Sequence, residues 1–428
     1  MQEDLEVEKI IQDHLLPEYS KSSEINDVYK QWAMKVYIPP EGLNPDENII
    51  NLKNGLFHVR EGILHEHTPD YPSTIQINAS YNPESSCLTF IQFITESLGA
   101  EYVPLIAQII GYICTTSVAA EKAFFLVGAA AGGKSTLIKT VEHVVGKKNK
   151  SSITWQGLGE PYQAADLFGR ILNSNADLPS KALDDAGMFK KLVSGDSIST
   201  SRKYKDNFEF YPFVKFLFSC NDMPVSLSDK TLGFFRRILL IPFTKTVPES
   251  KRDPHLLDKL LAERDGILTF AIQHLRDLVE NNYRFTIPEQ SKEEIKKYMQ
   301  ACNSAILFLN EHCKVSPGGE ILRQDLYQYY MTFCSRFSLK PMSQTKFNSD
   351  VEKLFTQEEV LRSRTSGKRQ HTWTGIRYEP AGECDSGDFD YVLGLTSTPA
   401  IIGQIEQHEQ QQEALMQSLQ EDDDLIGY

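Results

Sequence analysis

The stretch from Gly128 to Ser135 reads GAAAGGKS: a glycine, four residues, then Gly-Lys-Ser. In this spacing the glycines let backbone N–H groups turn toward phosphate oxygens, the lysine reaches the β- and γ-phosphates, and the hydroxyl holds Mg²⁺. We therefore predict ATP and Mg²⁺ as cofactors, with Lys134 in catalysis and Ser135 on the metal. The predicted nucleotide-binding residues are Gly128, Ala129, Ala130, Ala131, Gly132, Gly133, Lys134, Ser135 and Thr136.

The flanks of this stretch distinguish a phosphate-binding loop from a Gly/Ala-rich turn with an exposed lysine. The apolar run over 123–127 precedes it and is typical of a buried parallel strand. Apolar residues after it recur at helical spacing up to Gly146, which can end a helix. Strand, glycine-rich loop and helix N-terminus together favour phosphate binding.

A second short strand, ILNSNADLP over 171–179, leads to Asp177. A carboxylate there can hold Mg²⁺ through its water shell, so Asp177 is predicted in catalysis and as a metal ligand. The alternative is an acid that only caps the end of a strand. Because Ala176 and Leu178 flank it, no partner acid stands beside it, and the general base that activates the attacking water stays unassigned.

Two more strand patterns carry polar residues suited to contact phosphate. The strand FVKFLFSCN ends in Asn221, whose amide could hydrogen-bond the attacking water or the γ-phosphate; alternatively, it only turns the chain. Arg236 and Arg237 precede the strand ILLIPF, and guanidinium groups bind phosphate bidentately. Alternatively, the two arginines are solvated and only flank an apolar strand.

The order of these four features within 128–237 resembles the helicases of superfamily 3, of the phage, plasmid and poxvirus primase-helicase type. Residues 191–224 resemble the stretch between that family's second and third motifs, and NLKNGLF (51–57) resembles a hairpin of its N-terminal accessory domain. Residues 48–67 are predicted to form hairpins, with turns at Asn54-Gly55 and Glu61-Gly62. The resemblance runs from about residue 48 to 306. Two departures bear on hydrolysis: Gly132 stands where the family commonly has Asn, and Asp177 has no partner acid.

The resemblance implies an AAA+-like ATPase that assembles into a ring, usually a hexamer, and pulls on one DNA strand. It implies that Asn221 acts as the sensor. It also implies that Arg236 or Arg237 is the arginine finger, which reaches the ATP of the neighbouring subunit; Arg237 is slightly favoured. All three are therefore expected in catalysis.

Apolar and polar residues alternate over 194–211, on both sides of a polar tip, and this pattern predicts a β-hairpin. The tip carries Arg202, Lys203, Tyr204 and Lys205. Basic groups bind phosphates without reading sequence, and an aromatic ring can stack on a base. A charged hairpin tip that is merely solvated is the alternative. In the family this hairpin points into the channel of the ring, which favours DNA binding by these four residues.

Residues 316–380 are predicted to form a winged helix, similar to the C-terminal module of these primase-helicases. Two helical stretches, 321–337 and 343–354, the second capped by Ser343, precede two strands expected around Ser366-Gly367. The wing is expected to present a basic, aromatic surface to DNA, or alternatively to dock on protein. Its predicted DNA contacts are Arg364, Lys368 and Arg369, accompanied by Arg362, Arg377, His371 and Trp373.

Charge is distributed unevenly along the 428 residues, whose net charge is −14. Residues 381–428 hold eleven acids and no Lys or Arg, so the rest of the chain carries only −3 and can bind DNA through local basic patches. We expect this tail to be disordered. Its acidic tip, 421–428, either docks on a replication partner, folds back over the DNA channel or only improves solubility.

Several features bear on the compartment. There is no apolar stretch of about 18 residues, so no membrane segment is expected. The acidic N-terminus lacks the pattern of a signal peptide. The seven cysteines form no CxxC pair, so neither a cysteine-bound zinc nor a disulfide framework is expected. We expect a reducing cytoplasm, that of a bacterium or of a phage-infected host.

The predicted fold class is α/β: an AAA+-like P-loop ATPase core with a mainly helical N-terminal accessory domain and a C-terminal winged-helix domain. Five segments are predicted: the accessory domain of helices and a hairpin, the ATPase core, a helical lid and connector, the winged helix, and the acidic tail. Their bounds are 1–115, 116–250, 251–315, 316–380 and 381–428.

The sequence thus predicts an ATP-driven DNA helicase of a phage or mobile-element replication system. Expected partners are single-stranded and forked DNA, further copies of the chain in a ring, and a primase, polymerase or single-stranded-DNA-binding protein. One alternative is an ATP-switched initiator or loader that binds DNA without processive unwinding. A P-loop nucleotide kinase is a second alternative, against which the long helical lid and the extra modules argue.

Overall fold

The computed structural model describes residues 2–15, 21–39, 42–176, 178, 186–202, 206–223, 232–336, 341–352, 357–360 and 370–379. Several predicted sites and the whole acidic tail lie outside these residues. The site residues concerned are Asp177, Lys203, Tyr204, Lys205, Arg364, Lys368 and Arg369. Their predicted roles, and the predicted disorder over 381–428, stay predictions.

Helices and strands largely alternate between residues 123 and 242, whereas helices or strands follow one another in groups on either side. The helices are α1 (Gln2–His14), α2 (Ser22–Lys35), α3 (Leu88–Ser97), α4 (Val103–Ile113), α5 (Lys134–Val145), α6 (Pro161–Ala164), α7 (Ala186–Ser194), α8 (Leu232–Phe235), α9 (Leu256–Ala262), α10 (Arg264–Glu280), α11 (Glu289–Cys302), α12 (Ser304–His312), α13 (Arg323–Arg336) and α14 (Gln344–Glu352). The strands are β1 (Ile49–Leu52), β2 (Gly55–His58), β3 (Ile63–His65), β4 (Ala123–Val127), β5 (Lys150–Ser151), β6 (Leu172–Ala176), β7 (Ile198–Ser201), β8 (Asn207–Phe210), β9 (Lys215–Cys220), β10 (Ile238–Pro242), β11 (Cys313–Leu322), β12 (Gln357–Val360) and β13 (Gln370–Tyr378).

Five strands form one parallel sheet in the order β10–β4–β9–β6–β5. Val127, the last residue of β4, pairs with Cys220 at the end of β9 and with Pro242 at the end of β10. Ala176, at the end of β6, pairs with Ser219 of β9. The carboxyl ends of these strands therefore meet at one edge, and the predicted α/β class with a parallel sheet is confirmed.

Both faces of this sheet are buried, as is usual for parallel strands. Alternate residues of β4 point to opposite faces: Phe124 and Leu126 enter one hydrophobic cluster, Ala123 and Phe125 the other. Residues of α3, α4, α5, α9 and α10 cover the first face, and those of α7, α8 and α11 cover the second. Because neither face meets water, the central strands read as continuous apolar runs.

The hydrophobic cluster on the first face of the sheet contains residues from three of the predicted segments, 1–115, 116–250 and 251–315. A Cβ on Gly111 of α4 would stand 2.6 Å from the carbonyl oxygen of Ala271 in α10. Glycine is therefore needed for this close approach of the two helices. Thus α4, assigned from sequence to the accessory domain, packs directly on α10, assigned to the lid; the segment bounds themselves stay predictions.

The N-terminal sheet β1–β2–β3 confirms the predicted hairpins, with a shift at the first turn. Leu52 pairs with Gly55, so Lys53 and Asn54 occupy the turn, whereas the sequence predicted Asn54-Gly55. The Asn54 side chain donates to the Tyr81 carbonyl at 2.8 Å and accepts the Tyr81 N–H at 3.0 Å. A contact with a distant residue therefore holds Asn54 in this position.

The C-terminal module packs α12, α13 and α14 with β13 around its own hydrophobic cluster, and β11–β13–β12 form an antiparallel sheet. The two predicted helices are present as α13 and α14. The predicted Ser cap is present too, because the hydroxyl of Ser343 accepts the backbone N–H of Lys346 at 3.4 Å.

The strand prediction for this module missed β11. The pairing of β11 with β13 shifts register between Val315 and Glu320, which interrupts the alternation of its residues. Of the two strands predicted around Ser366-Gly367, the second is present as β13, which pairs with β12 through Gln370 and Val360; residues 361–369, where the first strand and its turn were expected, lie outside the described residues.

Candidate nucleotide site

The loop between β4 and α5 adopts a backbone that its glycines make possible. Gly128 has a φ of +141°, and a Cβ there would stand 2.2 Å from the carbonyl oxygen of Phe243. Gly133, with a φ of +103°, precedes the first residue of α5, and Ala131 also has a left-handed φ of +62°. The chain thus turns sharply from the strand into the N-terminus of the helix, where backbone N–H groups and the helix dipole favour an anion.

Lys134, the first residue of α5, is directed back into this loop. Its side chain is buried, and its Nζ donates to the carbonyl oxygen of Gly128 and, at 2.8 Å, to that of Ala129. Charged phosphate oxygens accept more strongly than carbonyls. The ammonium is therefore placed where a bound phosphate can replace its carbonyl partners.

The first turn of α5 also carries the predicted metal ligand. Ser135 follows Lys134 and is exposed, while Thr136 is half-buried and its carbonyl accepts the hydroxyl of Thr140 at 2.9 Å. A hydroxyl in this position can join the coordination of a phosphate-bound Mg²⁺, for which oxygen ligands are preferred.

Asn221 lies at the same edge of the sheet as the loop. It directly follows Cys220, whose carbonyl oxygen accepts the backbone N–H of Gly128 at 3.2 Å. Asn221 and the next residue, Asp222, are both exposed. The structure therefore brings the predicted sensor together with the loop, and it adds an acid, Asp222, that was not singled out from the sequence although it follows a strand end.

The chain on both sides of Asp177 lies at this edge as well. Ala176 pairs with Ser219, and the N–H of Leu178 donates to the Ser219 carbonyl at 2.8 Å. The role of Asp177 itself stays a prediction.

Arg236 and Arg237 lie at the opposite edge of the sheet. They precede β10, whose first residue, Ile238, pairs with Ala123 at the start of β4. The loop follows the far end of β4, five residues on, which is roughly 16 Å at about 3.3 Å per residue. Neither arginine therefore lies near the candidate nucleotide loop of its own chain.

The two arginines differ in their surroundings. Arg237 is only 11% exposed; its guanidinium donates to the Ser194 hydroxyl at 2.7 and 3.0 Å and to the Gly233 carbonyl at 2.5 Å. Arg236 is 45% exposed, and its guanidinium lies 2.5 Å from a carboxylate oxygen of Glu121. The same Glu121 oxygen is 3.4 Å from Arg237. Glu121, a partner of both arginines, was not recognised from the sequence, since it lies far from them along the chain.

The predicted hairpin is present as β7 and β8. Ile198 pairs with Phe210 and Ser201 with Asn207, so the two strands flank the predicted tip, of which residues 203–205 lie outside the described part of the chain. Arg202 is exposed, and its guanidinium carbon lies 5.5 Å from the centroid of the Phe208 ring. This cation–π contact joins the first residue of the tip to β8.

The C-terminal module corrects one member of the predicted DNA surface. Trp373 is fully buried in the hydrophobic cluster of this module, with the Arg323 guanidinium 5.2 Å from its ring centroid. Strict alternation would place His371, Trp373 and Arg377 on one face of β13, but Gly375, with a φ of +81°, interrupts it between Trp373 and Arg377. His371 is half-buried, and Arg377 is exposed. Of these three residues on β13, Arg377 is the one placed to meet a phosphate backbone.

Three family models match separate parts of the chain. They are described as "D5 N terminal like" over residues 2–99, a family of unknown function (DUF5906) over 126–237, and "RFX DNA-binding domain" over 302–380. The second match begins in β4 and ends at Arg237, so it includes the loop, Asn221 and both arginines.

The chain is also similar to proteins of large DNA viruses. "Putative helicase L207/L206" of Acanthamoeba polyphaga mimivirus is 27% identical over 237 residues, which cover 51% of this chain and 24% of that protein. "Putative helicase 121R" of Invertebrate iridescent virus 3 is 22% identical over 309 residues, 62% of this chain and 32% of that protein. The chain thus spans about a quarter to a third of the length of these relatives.

Among solved structures, the apo NrS-1 C-terminal region superposes with a TM-score of 0.41 at 10% identity, covering 82% of this chain and 90% of that one. The family and sequence matches relate the chain to helicase-type proteins of DNA viruses; the finer assignment to superfamily 3 stays a prediction. In the part of the chain that the structure describes, no helix is both long and apolar enough to cross a membrane.

Proposed function

We propose that this chain is an ATP-driven DNA helicase of a viral or mobile-element replication system. The observation that carries this is the placement of Lys134, whose ammonium lies inside a glycine-rich loop at the carboxyl edge of a parallel sheet. The first residue of that loop, Gly128, is hydrogen-bonded to the residue before Asn221. The similarity to helicase-named viral proteins supports DNA as the substrate. The proposed compartment is the cytoplasm of the infected host cell.

In the proposed site, Lys134 and the loop residues 128–136 bind the phosphates of ATP. Ser135 and Asp177 hold Mg²⁺, which neutralises charge on the β- and γ-phosphates when bound. Asn221 orients the attacking water or the γ-phosphate.

In this proposal, the position of the two arginines requires that several copies of the chain assemble. Because Arg236 and Arg237 lie at the edge of the sheet away from the loop, a finger role requires the ATP of another copy. We propose Arg236 as this finger, since it is more exposed than Arg237 and has fewer hydrogen bonds to give up. The ring is expected to be a hexamer that translocates on one DNA strand.

An ATP-switched initiator or loader is the second candidate. The similarity of residues 302–380 to a DNA-binding domain favours it, because DNA binding by such a module does not require a motor. Strand separation is the property that distinguishes the two functions.

The test is ATP-dependent unwinding of a labelled forked DNA by the purified chain, with Lys134→Ala and Lys139→Ala compared. We expect Lys134→Ala to lose unwinding and to lower the hydrolysis rate at least about 100-fold, the usual size for loss of one group that stabilises transition-state charge. Lys139 lies exposed on the same helix, so Lys139→Ala should keep both activities. DNA-stimulated hydrolysis near the parent rate in Lys134→Ala would contradict the nucleotide site. Hydrolysis and DNA binding without strand separation would favour the loader.

A further inference from the structure

Three side chains with metal-binding atoms converge on the β2–β3 hairpin. His58 ends β2, Glu61 lies in the turn, and His65 ends β3. The Glu61 carboxylate oxygens lie 4.0 Å from Nδ1 of His58 and 3.5 Å from Nε2 of His65, and the two imidazole centroids are 4.4 Å apart. One donor atom from each residue lies within 4.8 Å of the other two.

The pairing of the hairpin explains why these residues meet. His58 pairs with Ile63 and Leu56 with His65, so the two histidines are diagonal neighbours on one face of the pair of strands. Gly62 closes the turn with a φ of +75° and donates its N–H to the His58 carbonyl at 2.8 Å. The backbone thus holds Glu61 between the two imidazoles.

The turn is also held against the core of the protein. A Cβ on Gly62 would stand 2.8 Å from the guanidinium carbon of Arg276 in α10. Leu56 and Phe57, which precede His58 in β2, are buried. The frame that carries the three donors is therefore fixed before any ligand arrives.

We propose that His58, Glu61 and His65 bind one divalent transition-metal ion, and that Zn²⁺ fits the site. Two imidazoles and one carboxylate are common zinc ligands, and donors on a tetrahedral Zn²⁺ stand about 3.4 Å apart at metal–ligand distances of about 2.0–2.1 Å. The observed separations need only small side-chain rotations to reach this value. The three side chains are 30%, 58% and 48% exposed, so the ion enters from solvent and water completes its coordination.

Such an ion joins the two strands of the hairpin across its turn. Its expected effect is to stabilise the β1–β2–β3 sheet, which contributes Ile50, Leu52 and Phe57 to the cluster under the parallel sheet. This role does not depend on ATP or on the nucleotide site.

The experiment is a titration of the chelator-treated full chain with Co²⁺ and Zn²⁺, followed by cobalt absorption, calorimetry and melting temperature. We expect one ion per chain and a melting temperature that rises with Zn²⁺ concentration, because the ion binds the folded state. His65→Asn and Glu61→Gln should each weaken metal binding by at least about tenfold. Loss of a residue that only hydrogen-bonds a metal ligand already lowers metal affinity by about that much, and these variants remove a ligand itself.

His255→Asn is the matched control. His255 is exposed and lies 3.7 Å from Asp258, but no third ligand joins that pair among the described residues, so the variant should bind Zn²⁺ as the parent does. Circular dichroism of each metal-free variant establishes that it is folded. Equal affinity in the parent and in a folded His58→Asn, Glu61→Gln, His65→Asn triple variant would show an adventitious ion only and would overturn the proposal.

Discussion

Gly128 donates its backbone N–H to the carbonyl oxygen of Cys220, 3.2 Å away, across the carboxyl ends of β4 and β9. This bond joins the first residue of the glycine-rich loop to the residue before Asn221. The loop and the proposed sensor are therefore carried by one hydrogen-bonded pair of buried strands. Groups held in this way keep their geometry better than groups on separate loops.

Gly128→Ala should be far more harmful than Gly169→Ala, although both positions have a positive φ. A Cβ at Gly128 would stand 2.2 Å from the Phe243 carbonyl oxygen, whereas nothing lies within 4 Å of one at Gly169. We expect a loss in the free energy of unfolding of about 2–5 kcal/mol for Gly128→Ala and about 1–2 kcal/mol for Gly169→Ala. Denaturant unfolding and ATP affinity measure the difference. Equal effects would mean that the loop moves away from Phe243 readily.

Arg236→Ala should abolish hydrolysis while ATP binding is kept, because the proposed finger acts on the ATP of a neighbour. A loss of about 10³-fold or more in the hydrolysis rate is expected for a finger. Mixing this variant with Lys134→Ala subunits should restore part of the activity, since some interfaces then combine an intact loop with an intact arginine. No recovery at any mixing ratio would argue against catalysis in trans.

Arg237→Ala serves as the structural counterpart of that variant. Its guanidinium is largely buried and bonded to Ser194 and Gly233, so its removal should lower the free energy of unfolding by about 1–3 kcal/mol. Arg236→Ala should cost no more than about 1 kcal/mol, as is usual for an exposed ion pair. If a stable, folded Arg237→Ala lost hydrolysis and Arg236→Ala did not, the assignment of the finger would be reversed.

Lys203→Ala with Lys205→Ala should separate hydrolysis from movement on DNA. Basal hydrolysis should persist, because the hairpin is not part of the nucleotide site, while DNA stimulation and unwinding should fall. Loss of two phosphate contacts predicts that the slope of log affinity against log salt for single-stranded DNA becomes shallower by about 1.4. Lys147→Ala with Lys148→Ala removes the same charge from two other exposed positions and should leave that slope unchanged.

Lys215 makes the stability of the parallel sheet depend on pH. It begins β9, is buried, donates to the Phe213 carbonyl at 3.0 Å and lies 5.1 Å from the Tyr112 ring centroid. Burial lowers the pKa of its ammonium from 10.5 to about 7. Between these values the unfolded chain binds more protons than the folded one, so stability rises with pH.

Lys215→Met should lose this pH dependence. Relative to the variant, the parent should gain up to about 1.4 kcal/mol in the free energy of unfolding per pH unit between about pH 7 and pH 10, and nothing below that window. Denaturant unfolding of both proteins at pH 6, 7.5 and 9 measures the gain. A difference that does not change with pH would show that Lys215 has the same pKa in both states.

The strand, glycine-rich loop and helix around Lys134 could be predicted because their signals are local. A buried strand, a glycine-rich turn and an amphipathic helix are encoded by neighbouring residues, so the position of Lys134 at the start of α5 follows from the sequence. The β7–β8 hairpin follows in the same way from alternation around a polar tip. The helices of the C-terminal module are recognisable by their apolar spacing and by the Ser343 cap.

Tertiary structure decided which of these local features share a surface. Strand order and register place Asn221 beside the loop and put Arg236 at the far edge, and neither fact is encoded near those residues. Burial of Trp373 depends on which face of β13 meets α13 and α14, and the Asn54 turn depends on a contact with Tyr81. The sequence alone determines most of the helices and strands, because backbone preference and periodicity act over a few residues; β11, whose register is interrupted, was missed for that reason. Their assembly depends on the burial of apolar faces contributed by residues far apart in the chain.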